Sequence, residues 1–111
     1  MEKTIVIDDK QVTFKSSGAV PKRYKMQFQR DFFADLLAME GVIKSEEPKV
    51  EEIRKIDFEV FYDIAWTLAK TADNGIKDPL AWLDEFEYFP IVEILPQIQD
   101  MLAASISSKK K

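Results

Sequence analysis

Asp31 with Asp35 and Glu59 with Asp63 are carboxylate pairs that stand four residues apart in this chain. On a helix that spacing puts both acids of a pair on one face, where their oxygens could hold Mg²⁺ or Ca²⁺. A chain with 20 Asp and Glu in 111 residues meets such spacing by chance, so the pairs alone do not make an ion site. Gln27, one turn before Asp31, reads as helix support. Beyond these groups the chemistry is sparse. There is no Cys, which excludes a disulfide framework, a thiolate metal site and a cysteine nucleophile. There is no His, the side chain most used as a general base near neutral pH and the commonest metal ligand. No Gly-rich phosphate loop and no nucleophile with an evident base is present. The expectation is a protein without catalytic, cofactor-binding or metal-binding residues, not an enzyme.

Charge is distributed unevenly. From Lys10 to Arg30 there are six basic residues and no acid, whereas Asp57 to Asp100 holds ten acids and two lysines. The halves either neutralise one another within one molecule or present a positive face to a negative one on another copy or partner. In the second case Lys22, Arg23, Lys25 and Arg30 are the residues expected to mediate self-association. The basic stretch with Tyr24 and Phe28 interleaved also has the pattern of single-strand nucleic-acid binding. The net charge of −4 argues against that role, and the wheel puts both rings on an apolar arc.

The segment Trp82-Leu83-Asp84-Glu85-Phe86-Glu87-Tyr88-Phe89 alternates acids and rings. Trp82, Phe86 and Phe89 recur at i, i+4 and i+7, and aromatics rimmed by acids suit a protein-binding patch. Trp82, Asp84, Glu85, Phe86, Tyr88 and Phe89 are therefore candidate partner contacts. The competing reading is that the rings cap the core under an N-terminal hairpin.

These groups must be positioned by one domain, the size that 111 residues support. Thr4–Ile7 and Gln11–Lys15 read as a β-hairpin around Asp8-Asp9-Lys10, with Val12 and Phe14 on one face. A lone hairpin is marginal, so it must lie on something apolar. Pro21 opens a helix expected to run to about Met39, ended by Gly41. Tyr24, Phe28, Phe32, Leu36 and Met39 share one arc of it, with Met26, Phe33 and Leu37 on a second, so two neighbours are expected. Residues 42–56 form a charge-rich, mobile connection around Pro48, with a short helix possible at 50–56. Asp57 caps a helix from Phe58 to about Ala72 that is apolar nearly all round and belongs at the centre. Asp78-Pro79 opens a short helix to about Glu87. Pro90 opens a last amphipathic helix with Ile91, Ile94, Leu95, Ile98, Met101, Leu102 and Ile106 in its stripe and a kink at Pro96. The architecture expected is α+β, mostly helical, with about four helices and a short N-terminal β-hairpin. One globular domain covers 1–106, and 107–111 form a frayed Lys-rich tail. No apolar run approaches the roughly 18 residues of a membrane span and no signal peptide is evident, so a soluble, cytoplasmic protein is expected.

The order of these features resembles a known family. A short hairpin precedes a helix carrying Tyr24…Phe28-x-Arg30-Asp31, then a central Ala65-Trp66-Thr67-Leu68-Ala69-Lys70-Thr71-Ala72-Asp73, then Trp82-Leu83-Asp84-Glu85-Phe86 and an Ile/Leu-rich last helix. Across residues 4–104 this resembles the tail assembly chaperones of long-tailed bacteriophages and prophages. The resemblance implies a protein that coats the long tape measure protein, keeps it soluble and lets major tail protein polymerise around it. It implies action as a homo-oligomer in the host bacterial cytoplasm and absence from the finished virion. It also implies an extended product made by ribosomal frameshifting, for which the Lys109-Lys110-Lys111 codons could supply an A-rich slip site. A phage adaptor of other role, or a weak nucleic-acid binder, is the alternative expectation.

Overall fold

A computed structural model describes residues 1–43, 51, 54 and 57–107. Strand β1 (Glu2–Ile7) pairs antiparallel with β2 (Lys10–Lys15), and Ile5 lies opposite Val12. The two-residue turn between them holds Asp8 and Asp9 at φ 54° and 64°. Both central residues on the left-handed side match the right-handed twist of the flanking strands, and aspartate tolerates that conformation better than most side chains. Asp8 is held further by accepting the Glu87 backbone N–H at 2.8 Å. Ile5, Ile7, Val12 and Phe14 are buried on the inner face, and Thr4 and Thr13 share a hydroxyl hydrogen bond of 2.7 Å on the outer face.

The single long helix expected from Pro21 to Met39 is instead broken. Helix α1 (Val20–Phe28) stops where Gln29 turns left-handed at φ 62°. Asp31 then caps α2 (Phe32–Ala38), accepting the Phe33 N–H at 3.1 Å. Asp31 therefore works as a cap, the role short acids fill best at an N-terminus. Gly41 does not end the helix; it lies within α3 (Glu40–Ile43), a single helical turn. The break turns the second expected arc outward: Met26, Phe33 and Leu37 are 68%, 46% and 53% exposed.

Helix α4 (Phe58–Ala72) starts at Asp57, which accepts the Glu59 N–H at 2.9 Å, and forms the centre of the fold. Phe61, Ile64, Ala65, Trp66, Thr67, Leu68 and Ala69 are all buried. Strand β2 packs on this helix, and α1 packs beside it. Helix α5 (Pro79–Leu83) is shorter than expected, ending before Glu87. Helix α6 (Ile91–Ser107) continues through Pro96 and buries Ile91, Ile94, Leu95, Ile98, Met101 and Leu102 against β1, α2 and α3. The Ile106 side chain, most of the 42–56 connection and residues 108–111 lie outside what is described. The result is α+β and mostly helical, with four helices of seven residues or more and one two-stranded sheet among the described residues.

Candidate functional site: a basic and apolar pocket on the first helix

The left-handed turn at Gln29 aims Arg30 back into the protein. Its guanidinium donates to the Asp35 carboxylate at 3.0 Å, to the Tyr24 hydroxyl oxygen at 2.9 Å and to Asp63. Tyr24 in turn donates to Asp35 at 2.6 Å. The acids spaced as Asp31/Asp35 and Glu59/Asp63 are thereby divided, with Asp35 and Asp63 meeting on one cation. Burial and the Asp35 carboxylate push the Tyr24 hydroxyl above its ordinary pKa, and its carboxylate contacts hold the Arg30 guanidinium charged. Burial also raises Asp63, opposed by Arg30. Among the described residues no group of three or more Asp or Glu gathers as a metal site would require.

Arg30 is thus engaged within its own chain, with its charge shared between Asp35 and Asp63. The other three basic residues expected to mediate self-association remain on the α1 surface. Lys22, Arg23 and Lys25 have no ion pair among the described residues. Lys22 and Arg23 line a pocket of about 400 Å³ with Ala19, Met26, Gln27, Trp66 and Lys70. Arg23 Nε is buried without a hydrogen-bond partner among the described groups. Such a buried, unpartnered donor costs about 1–3 kcal/mol. Lys70 Nζ donates to the Asn74 and Ile76 carbonyls at 2.8 and 3.0 Å, placing its charge 5.9 Å from the Trp66 ring centre. Trp66 itself donates to the Lys77 carbonyl at 2.8 Å. Three cations, an indole and a thioether surround the pocket, and among the described residues no carboxylate lines it. It can accept an acidic group beside an apolar one. Met26 was legible as apolar and Lys22 as basic; their convergence with Trp66 and Lys70, some 40 residues later, had no sequence signal.

The acidic-aromatic segment has a different fate. Helix α5 ends at Leu83, so the i, i+4, i+7 ring spacing does not form an outward stripe. Trp82 is buried, and its ring meets Phe86 and Phe89 edge-on at 5.3 and 5.4 Å. Phe89 continues into Phe61 and Tyr62 at 6.3 and 5.9 Å, while Lys10 lies over Phe86 at 5.6 Å. Trp82, Phe86 and Phe89 therefore pack together on the core by the hairpin turn, the capping arrangement, and do not form an outward aromatic stripe. Of the six, Asp84, Glu85 and Tyr88 remain exposed, with Leu80 exposed nearby.

No known protein family, curated protein or solved structure matches the chain when compared with each.

Proposed function

We propose that this protein is a non-enzymatic phage tail assembly chaperone that binds the tape measure protein, keeps it soluble and assists tail tube polymerisation. The observation that carries the reading is the α1 face, where Lys22, Arg23 and Lys70 surround an apolar pocket lined by no acid among the described residues. The 68% exposed Met26 lies at its edge, a soft and adaptable contact suited to varied apolar side chains. A long amphipathic helical client offers repeated acidic and apolar side chains to such a face. Many copies binding one client reach high avidity from modest individual contacts. The ordered resemblance across residues 4–104 supplies the client's identity, and with it the major tail protein as a second partner. The site of action in this reading is the host cytoplasm, and the finished virion lacks the protein.

Co-expression with the tape measure protein of the same gene cluster tests the proposal. The client is expected in the soluble fraction only with the chaperone. The Lys22→Glu/Met26→Asp double variant, changed at two surface positions, should lose that rescue while keeping its own helical circular dichroism. A client equally soluble without the chaperone, or rescued by the double variant, overturns the reading. A salt-dependent gel shift with single-stranded nucleic acid that Lys22→Glu removes would favour the nucleic-acid alternative.

A further inference from the structure

The hairpin leaves a strand edge open beside a groove. Met1 and Ser16 exchange backbone hydrogen bonds, Ser16 N–H to Met1 C=O at 2.9 Å and the Met1 amino group to Ser16 C=O at 3.5 Å. With the observed register, the antiparallel alternation then makes Lys3/Phe14, Ile5/Val12 and Ile7/Lys10 the bonded pairs. The N–H and C=O groups of Gln11 and Thr13 point away from β1, and neither residue's backbone has a partner among the described residues. Four consecutive residues, Lys10 to Thr13, line a groove of about 370 Å³. Consecutive strand residues alternate between faces, so a groove that touches all four runs along the edge of β2 and not over one face.

The opposite wall is apolar, built from Ala69, Ala72 and Ile76 at the end of α4 and from Trp82 and Phe86. Among the described residues Glu2, Asp73 and Glu85, the last paired with Lys77 at 3.4 Å, bring three carboxylates to the groove against one lining cation, Lys10. That cation is already committed, 3.6 Å from Asp8 and over the Phe86 ring. This groove shares no lining residue with the α1 pocket and has the opposite charge.

The geometry points to strand addition: an extended segment of a partner protein, alternating apolar and Lys or Arg residues, pairs with the open edge of β2. The outward groups of Gln11 and Thr13 supply backbone hydrogen bonds two residues apart, the repeat of an extended chain. The Ala72, Ile76, Trp82 and Phe86 wall receives the apolar side chains. Glu2, Asp73 and Glu85 select basic residues over acidic ones. Lys10 and Lys15 at the two ends of β2 guard the edge against indiscriminate pairing, the usual task of edge lysines. The uncharged Gln11-Val12-Thr13 stretch between them is left for a matching strand.

The test is amide exchange and ¹⁵N chemical-shift titration of the intact protein with a blocked, alternating Lys–Val hexapeptide. Shifts are expected at Lys10–Thr13, Ala69–Ile76 and Trp82–Phe86. Exchange at Gln11 and Thr13 should slow with peptide, while Val12, already bonded to Ile5, changes little. Gln11→Pro removes one outward N–H and leaves the β1–β2 bonds in place, so affinity should fall about tenfold, as for one lost hydrogen bond. Glu2→Lys/Glu85→Lys alters only exposed side chains and should abolish the preference for Lys–Val over a Glu–Val hexapeptide, including where the proline variant perturbs the hairpin. Equal binding of both hexapeptides by the wild type, or unslowed exchange at Gln11 and Thr13 on saturation, overturns the proposal. A concentration-dependent dimer in the ultracentrifuge that protects the same two amides without peptide also overturns it, by showing the edge to be filled by a second copy.

Discussion

Arg30, in the break between α1 and α2, donates to the carboxylate of Asp63 in the middle of α4, 33 positions away in sequence. This one contact, with Asp35 and Tyr24 sharing the same guanidinium, ties the left-handed turn at Gln29 to the central helix. Tertiary pairing of a cation and a carboxylate thereby overrides the helical periodicity that runs through Phe28 and Phe32.

Removing Arg30 leaves Asp63 partly buried without its counter-charge, the costly way to break an ion pair. Solvent reaches part of the guanidinium, 40% of whose side chain is exposed, and screens the pair. Arg30→Ala is expected to destabilise the protein by about 2 kcal/mol in urea unfolding. Adding Asp63→Asn should recover part of that loss. A fully additive double mutant would show that the pair is not coupled.

Tyr24 gives the network a pH signature. Its hydroxyl is held protonated above the ordinary tyrosine pKa, so the native state keeps a proton that the unfolded chain releases. The contribution is complete below about pH 10 and is lost as pH rises from there toward the native pKa. Between pH 10 and 11 the wild type should lose stability more steeply than Tyr24→Phe, by up to about 1.4 kcal/mol per pH unit. Denaturant melts at matched ionic strength read this slope directly.

The hairpin turn has room for improvement at one of its two positions. Asp9 stands at φ 64°, where glycine is freer of strain and Asp-Gly is a favoured pair. Asp9→Gly is expected to stabilise by about 0.5–1 kcal/mol, visible as a rise of a few degrees in Tm. Asp8→Gly relieves similar strain but loses the hydrogen bond from Glu87 N–H, so its Tm should stay level or fall.

If copies associate through opposite charges, Lys22 and Lys25, exposed and without an ion pair among the described residues, carry the contact with Arg23 beside them. Light scattering should then show oligomers of the wild type at low salt that dissociate toward the 12.9 kDa monomer at high salt. Lys22→Glu/Lys25→Glu should be monomeric at both. Unchanged oligomers in the double variant would place the interface elsewhere. Arg30 is unsuitable for this test because its charge is used inside the fold.

The hairpin, the Asp57 cap of α4 and the buried stripe of α6 were all legible from residues within a few positions of each other. Turn chemistry, capping and side-chain periodicity are short-range effects, and here neighbouring residues agree with one another. The chain's own order also determined that the Phe58–Ala72 helix, apolar nearly all round, would be central. Only the tertiary structure decided that Gln29 breaks a helix, that Arg30 turns inward and that Trp82, Phe86 and Phe89 fill space by the hairpin. It alone brought Met26 to Lys70, and the open edge of β2 to Ile76. Ion pairing and burial depend on which distant segments share a low-water environment, and neither spacing nor composition encodes that proximity.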